Sequence, residues 1–276
     1  MIYITGSNGL IGRSLKKNLL KFIPISYRDN LDGIEFNTHE DATLIHLASS
    51  SNTRYSIDSS AELYVKDVNL SLEVFKKFLN KNPTGRIILL SSCGDLHWDY
   101  YKKIQNEQSV PFPKTIHGAH KLLLENYGNI LTRNTEAKFI ILRVTNVYGG
   151  DASLDRVNGF IDKYVSCFKN NSVMQIYSNQ SNSYDWIHLD DVVSAVILSI
   201  GYNCNDTFLI GDGNSYSLQN LLDLLKNNIG DVKLDLKECL NSAVHVVIDP
   251  SRAKDLLGWK PKISLSEGIR IIKKNL

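Results

Sequence analysis

Short runs of β-branched and other apolar residues alternate with longer amphipathic stretches through the first half of the chain. The short runs predict β-strands at 2–5, 23–27, 43–47, 86–91 and 138–144. Apolar residues at helical spacing predict helices at 12–21, 61–80 and 118–131. Strands that alternate with helices are typical of a parallel sheet covered by helices, so the pattern predicts an α/β fold.

The regular alternation ends after Tyr148-Gly149-Gly150. Beyond this point the pattern predicts helices at 160–169 and 218–228 and short strands at 174–177 and 207–210. We therefore expect a smaller second lobe, interleaved with the first.

Composition excludes several classes of protein. Of the 276 residues, 43% are hydrophobic, and 31 Lys and Arg oppose 29 Asp and Glu, for a formal net charge of +2. These values exclude a disordered or low-complexity chain. The weak charge gives no argument for nucleic acid or an anionic membrane as a partner. The longest apolar runs are too short for a membrane span.

The cysteines and the N-terminus indicate the compartment. Cys93, Cys167, Cys204 and Cys239 lie far apart, which excludes the usual zinc modules and argues against a disulfide scaffold. Metal-site spacing is not found among the His, Cys, Asp and Glu residues, so no metal is expected. The first residues are strand-like and carry no signal sequence. We expect a cytoplasmic protein.

The strongest local motif is Thr5-Gly6-Ser7-Asn8-Gly9-Leu10-Ile11-Gly12, between the first predicted strand and a helix. Gly6 permits a tight turn, Gly9 lets the backbone approach a pyrophosphate, and Gly12 allows close helix–strand packing. The helix N-terminus offers free N–H groups and positive charge to the phosphates. The motif predicts NAD or NADP binding by Gly6, Asn8, Gly9, Leu10, Ile11 and Gly12; an ordinary strand–helix turn is the alternative.

The second predicted strand ends in Ser26-Tyr27-Arg28-Asp29, where a dinucleotide-binding unit contacts the ribose. An arginine suits the 2′-phosphate of NADP, whereas an acidic residue accepts from the 2′-hydroxyl of NAD. Arg28 gives a slight preference for NADP, Asp29 keeps NAD open, and a solvated loop charge is the alternative for Arg28.

With these residues the chain resembles the extended short-chain dehydrogenase/reductase family, in its NAD-dependent epimerase/dehydratase group, which acts on nucleotide sugars. The resemblance covers nearly the whole length. Beyond the glycine motif it rests on segments 41–48, 91–94, 142–149, 185–192 and 257–261 and on Asn69.

The resemblance implies a Rossmann-type, doubly wound sheet with a smaller C-terminal substrate domain. We expect residues 1–150 plus about 185–212 to form the NAD(P)-binding domain, and 151–184 with 213–276 the substrate domain. Leu47 and Ala48 are expected to line the cofactor site. The resemblance also implies a homodimer formed by the helices around 63–75 and 121–127.

One stretch departs from the family pattern. Only about a dozen residues separate Asp29 from Asp41, where the family has a strand and a helix. The segment Ile34-Glu35-Phe36-Asn37 is predicted to keep the strand, while the helix is missing.

The family's chemistry depends on Tyr-x-x-x-Lys, in which helical spacing places both side chains on one face. None of the 13 tyrosines has Lys four residues later. The matching segment has His117 at the tyrosine position and Lys121 at the lysine position. The third family residue, a Ser or Thr that polarises the reacting oxygen, matches Ser92 or Cys93. We prefer Ser92, because a thiol is a poor donor.

The histidine changes the proton chemistry. A neutral imidazole accepts a proton from a hydroxyl, but only the imidazolium can usefully donate one, and Lys121 disfavours the imidazolium. His117 is therefore better suited as a base in hydroxyl oxidation than as an acid in carbonyl reduction. The alternative is a site that has lost its activity, in which His117 only packs.

Substrate indications are mixed. Asn146 matches the amide with which the family touches its substrate, but Tyr184 stands where the family tends to place a diphosphate-binding arginine. Lys237 is the cation nearest to the position of a second such arginine, and bidentate phosphate binding is an arginine property. We expect hydride transfer at C4 of a nucleotide sugar, by a 4-ketoreductase or a 4-epimerase. The rival interpretation is a non-catalytic dinucleotide-binding protein.

Overall fold

A computed structural model describes residues 1–26, 33–49, 57–97, 103–113, 115–150, 159–177, 182–237 and 244–276. The strands in these ranges are β1 (Ile2–Thr5), β2 (Ile23–Ile25), β3 (Thr43–His46), β4 (Arg86–Ser92), β5 (Lys138–Val144), β6 (Asn146–Tyr148), β7 (Met174–Tyr177), β8 (Ser183–Tyr184), β9 (Trp186–His188), β10 (Asp206–Ile210), β11 (Tyr216–Ser217) and β12 (Leu234–Lys237). The helices are α1 (Leu10–Asn18), α2 (Ile57–Lys81), α3 (Ile116–Thr132), α4 (Phe160–Lys169), α5 (Leu189–Ile200), α6 (Leu218–Asn228), α7 (Ser251–Leu257) and α8 (Leu265–Lys274).

Six strands form a parallel sheet in the order β2-β1-β3-β4-β5-β10. One face is covered by α2 and α3, which contribute Phe75 and Leu124 to a buried apolar cluster. The other face is covered by α1 and α5, which contribute Leu15 and Val196 to a second cluster. Helices on both faces of a parallel sheet define the doubly wound fold, so the predicted α/β class is confirmed.

Most predicted elements are confirmed, some with shifted ends. The bounds of β5, α4, β7 and α6 are those predicted. Helix α1 begins at Leu10 rather than at residue 12 and ends at Asn18, because Leu19 takes an extended conformation that leads toward β2. Strand β2 ends at Ile25, and Tyr27 and Arg28 lie outside the described residues.

The strand predicted at 34–37 is wrong. This segment has strand-like alternation, with Ile34 and Phe36 buried and the residues between and after them exposed, but it forms no β-ladder. It lies over the α2 side of the sheet, where the Phe36 ring meets Tyr3 at 4.9 Å between ring centroids and Phe78 at 5.4 Å. The two apolar side chains cover sheet surface that the missing helix would otherwise shield.

A third apolar cluster forms in the second half of the chain. It joins Tyr148, Tyr164, Trp186, Leu221 and Ile269 among others, and so packs α4, α6 and α8 around short strand pairs. Those pairs are β6 with β9, β7 with β12, and β8 with β11. The domain bounds themselves stay a prediction. Among the helices in the described ranges, none combines the length and the apolar character that crossing a bilayer requires.

Candidate active site

The glycine-rich turn is built by backbone packing. Gly6 has φ +67°, and a Cβ placed there would lie 2.7 Å from the backbone N of Ala48. At Gly12 a Cβ would lie 2.4 Å from the Gly6 carbonyl oxygen and 2.6 Å from the Ser7 Cα. Because all of these neighbours are backbone atoms, no rotamer change relieves the contact, and both positions require glycine.

Gly9 differs, because the described residues leave most of the space beside it open. Gly6 O, at 3.2 Å, is the one described atom within 4 Å of a Cβ at Gly9. Gly9 is the N-cap of α1, no side chain caps this helix, and its first turn holds no acidic residue. The N–H groups at this end are therefore available to an anion, which is what a coenzyme diphosphate requires.

Two cations flank the same turn. Lys16 Nζ donates to Asn8 Oδ1 at 2.8 Å, and an Arg13 guanidinium N–H donates to the Asn8 carbonyl at 2.9 Å. They hold Asn8 in place and add positive charge near the helix N-terminus. The turn thus fits an adenine dinucleotide in both shape and charge.

The end of β3 lies against the turn. Ala48 N donates to Thr5 Oγ1 at 3.3 Å and Leu47 N to the Thr5 carbonyl at 3.3 Å, so the predicted cofactor residues Leu47 and Ala48 are adjacent to Gly6. His46 is fully buried, with Nδ1 3.0 Å from Thr5 Oγ1, as expected of a core histidine. Arg28, the predicted 2′-phosphate ligand, lies outside the described residues.

Helix α3 carries the predicted His–Lys pair. Thr115 caps the helix by accepting from Gly118 N at 2.9 Å, which places His117 in the first turn and Lys121 one turn later. Lys121 is buried and its Nζ donates to the Leu90 carbonyl of β4 at 3.0 Å. Burial lowers the pKa of Lys121 to about 8, so the amine is still mostly cationic at pH 7.

His117 is partly enclosed, with a side chain 15% exposed. Burial, and next the charge of Lys121, lowers the pKa of His117 to about 4. At pH 7 the imidazole is therefore neutral and can accept a proton. The role of His117 as a base stays a prediction.

The structure distinguishes the two candidates at the end of β4. Ser92 Oγ donates to Asp95 Oδ2 at 3.0 Å, and that carboxylate oxygen also lies 3.9 Å from His117 Nε2. Cys93 instead is fully buried against Leu209 and Ile248, and burial raises the pKa of its thiol. The fold brings Ser92 and His117 to the same carboxylate, that of Asp95, and directs Cys93 into the core.

Asp95 is a site residue that the sequence analysis missed. Besides Ser92, it accepts from Thr115 Oγ1 at 2.8 Å and so ties the end of β4 to the start of α3. An acidic residue three positions after the serine was the available signal, but its meaning depends on the position of α3.

A buried carboxylate–histidine pair that acts on Lys121 was also missed by the sequence analysis. Asp67 of α2 and His120 of α3 are both buried, with 3.8 Å between Asp67 Oδ2 and His120 Nε2. Burial lowers the pKa of Lys121, and among the carboxylates that raise it Asp67 has the largest effect. Burial, and then Lys121, lowers the pKa of His120 to about 4.

One further turn along α3, a buried ion pair fixes the helix to the sheet. Arg143 of β5 binds both carboxylate oxygens of Glu125, through Nε and through a terminal nitrogen at 2.7 Å. Glu125 also accepts from Ser91, and Arg143 contacts His97 Nε2 at 3.0 Å. Glu125 still raises the pKa of Lys121, after Asp67 and ahead of Asp95, although its carboxylate is paired with Arg143.

The predicted substrate residues occupy different places. Asn146 lies beside the Ser92–Asp95 loop, since a Cβ on Gly94 would be 3.7 Å from Asn146 Oδ1, and its amide donates to the Asp185 carbonyl at 2.9 Å. Tyr184 lies on β8, where it faces Tyr216 across the β8–β11 pair and accepts from Asn182 at 3.0 Å.

Lys237, the cation predicted nearest to the second arginine position, lies on β12 and pairs with Asp235 at 3.1 Å. In the described part of the chain, no three His, Cys, Asp or Glu side chains group as metal ligands.

Comparison with known proteins places this geometry in a family. The model of the NAD dependent epimerase/dehydratase family matches residues 2–211. The chain is 27% identical to dTDP-4-dehydro-6-deoxyglucose reductase of Escherichia coli over 244 residues, 85% of this chain and 75% of that protein. It is 26% identical to a putative UDP-glucose 4-epimerase of Methanocaldococcus jannaschii over 304 residues, 98% and 96% of the two chains.

Solved structures share the fold. UDP-glucose 4-epimerase of Thermotoga maritima, solved with UDP-glucose, superposes with a TM-score of 0.81 at 22% identity and covers 99% of this chain and 97% of its own. MoeE5, solved with UDP-glucose and NAD, gives 0.85 at 19% identity, with 99% and 98% covered. With the matched model spanning the sheet, the glycine turn and the His117–Lys121 helix, the chain belongs to the NAD-dependent epimerase/dehydratase family.

Proposed function

We propose that this protein is an NAD(P)-dependent oxidoreductase that transfers hydride at C4 of a nucleotide-activated sugar, as a 4-ketoreductase or a 4-epimerase. The observation that carries the proposal is the grouping of His117, Lys121 and Ser92 at the end of β4, beside Asn146. The names of the two relatives, a reductase and a putative epimerase of nucleotide sugars, support the substrate class.

The glycine turn is the cofactor-holding element in this proposal. The uncapped N-terminus of α1 and the open side of Gly9 would hold the diphosphate, and Arg13 and Lys16 add attraction. When bound, the nicotinamide ring supplies the acceptor or donor of the hydride. Lys121 would hold the neighbouring ribose, as the family resemblance implies.

His117 moves the proton in this scheme. During oxidation of a sugar hydroxyl, the neutral imidazole takes the hydroxyl proton. During reduction of a 4-keto group the imidazolium must give it back, and the low pKa of His117 makes that form scarce at pH 7. We therefore expect oxidation to be favoured near and above neutral pH, and reduction to quicken as the pH falls.

Ser92 would polarise the reacting oxygen. A hydroxyl has one proton, and in this structure Ser92 donates it to Asp95. Binding of substrate must therefore exchange the carboxylate for the sugar oxygen as the acceptor of that proton. Thr115 continues to hold Asp95 while this happens.

Turnover separates this function from that of a dinucleotide-binding protein without activity. Purified protein is incubated with 4-hydroxy or 4-keto nucleotide sugars and each of the four coenzyme forms, and the nicotinamide absorbance and the sugar products are measured. Turnover that His117→Ala abolishes supports the enzyme. Coenzyme binding without turnover of any of these sugars would favour the non-catalytic role. Comparing turnover with the NAD and NADP forms in the same incubations tests the preference for NADP that Arg28 suggests.

We also propose a homodimer. Helices α2 and α3 present exposed apolar side chains, with Val65 62%, Tyr127 44% and Ile130 63% exposed. Apolar exposure of this kind on neighbouring helices is typical of a protein interface. Light scattering coupled to size exclusion should give a mass near 62 kDa for the native chain, twice its 31.1 kDa, and a monomer for Ile130→Glu.

A further inference from the structure

We propose that Asp95 is a positioning residue whose carboxylate makes His117 a working base by stabilising the imidazolium that forms when it takes a proton. The inference rests on the proposed function and deepens it. It assigns to this chain a charge arrangement that suits histidine and would oppose a tyrosine at the same position.

The geometry holds the carboxylate in place. Asp95 Oδ2 lies 3.9 Å from His117 Nε2, and both side chains are 15% exposed. Hydroxyl groups on two different elements hold it there, with Ser92 Oγ at 3.0 Å from Oδ2 and Thr115 Oγ1 at 2.8 Å from Oδ1. Its own backbone N–H points to Ser92 Oγ at 3.3 Å. Thr115 keeps the carboxylate in place when Ser92 turns its proton to the sugar oxygen, so Asp95 can act on the imidazole throughout the reaction.

The sign of the charge decides what Asp95 can do. A histidine that accepts a proton becomes positive, so a nearby carboxylate stabilises the product of the transfer. A tyrosine that acts as a base must first become negative, and the same carboxylate would destabilise it. Lys121 has the opposite preference, because its charge favours a phenolate and disfavours an imidazolium.

Other charged groups face His117 from the elements packed around it. Lys121 comes from α3 itself and disfavours the imidazolium, while Asp67 from α2 and Asp95 from the β4 loop favour it. His120, also on α3, opposes it only when His120 itself carries a proton. Of the two carboxylates, Asp95 has the larger influence on the imidazole. In the proton transfer the sugar O–H bond breaks, an imidazole N–H bond forms, and the hydride leaves C4 for the coenzyme.

The test places Asp95→Asn in two backgrounds, the native chain and His117→Tyr. In the native chain we expect kcat/KM for hydroxyl oxidation to fall about tenfold, since an opposite charge within 4–6 Å typically changes proton affinity at least that much. In the His117→Tyr background the same change should cost clearly less activity than in the native chain, or raise it. An equal loss in both backgrounds would show a purely structural role and overturn the proposal.

A second measurement does not need turnover. Ultraviolet difference titration follows ionisation of the phenol introduced by His117→Tyr, and Asp95→Asn should move that ionisation to lower pH, while Asp95→Glu should leave it nearer to the original. An unchanged titration would overturn the proposal. If no variant turns over any sugar but the titration moves as expected, the proposed function fails while the electrostatic role of Asp95 stands.

Discussion

Two alanine substitutions in the glycine turn should affect different properties. Gly12→Ala should lower the free energy of unfolding, whereas Gly9→Ala should lower the affinity for coenzyme. At Gly12 the new Cβ meets backbone atoms at 2.4, 2.6 and 2.7 Å. Ordinary contact begins near 3.4 Å, so α1 must move by about 1 Å away from the Gly6–Ser7 backbone. Overpacking of this kind costs about 1–3 kcal/mol, and the gain in helix propensity returns up to about 1 kcal/mol.

Gly9→Ala is the matched control. Gly9 has φ −74° and ψ 177°, an extended conformation that alanine adopts readily, and its Cβ meets a single atom at 3.2 Å. We expect its free energy of unfolding to change by no more than about 0.5 kcal/mol. The methyl group would, however, enter the space in front of α1, so coenzyme affinity should fall at least about tenfold, or ~1.4 kcal/mol.

Urea unfolding without coenzyme measures the first effect, and calorimetric titration with NAD and NADP measures the second. Wild-type coenzyme affinity in Gly9→Ala would refute the assignment of this turn to a diphosphate. Equal stability of the two variants would refute the packing argument for Gly12.

Three further outcomes follow from the buried groups. Glu125→Gln removes the partner of the buried Arg143 and should cost about 3–5 kcal/mol in urea unfolding; a loss below ~1 kcal/mol would contradict the buried ion pair. Ser92→Ala should lower kcat, whereas Cys93→Ser should lower stability and leave kcat near that of the native chain, and the reverse result would exchange their roles. In the folded protein His120 stays neutral down to about pH 4, whereas in the unfolded chain it is protonated below about pH 6.5. The free energy of unfolding should therefore fall by up to about 3 kcal/mol as the pH drops from about 6.5 to about 4. His120→Phe should flatten that fall when unfolding is measured across this pH range.

The catalytic arrangement shows where sequence reasoning reaches its limit. His117 and Lys121 could be paired from the sequence, because four residues make one helical turn whatever surrounds the helix. Between Ser92 and Cys93 the sequence offered a preference from chemistry alone, because a one-residue change of register at the end of a strand moves a side chain to the opposite face. The choice depends on Leu209 and Ile248, which enclose the thiol.

The prediction of a strand at 34–37 was wrong for a related reason. Alternation of apolar and polar residues reports which side chains are buried, and in Ile34 and Phe36 that information was correct. It does not report whether a neighbouring strand is present to form a ladder. Here Phe36 lies against Tyr3 and Phe78, and no strand among the described residues pairs with the segment.

The sequence alone determined the alternation of strands and helices in the first half of the chain and the glycine turn, because periodicity and backbone freedom are properties of a few consecutive residues. Only the tertiary structure brought Asp95 and Asp67 to the His117–Lys121 pair, across separations of 22 and 50 residues from His117. Charge acts through space, so the proton chemistry of His117 is set by which carboxylates the fold places around it.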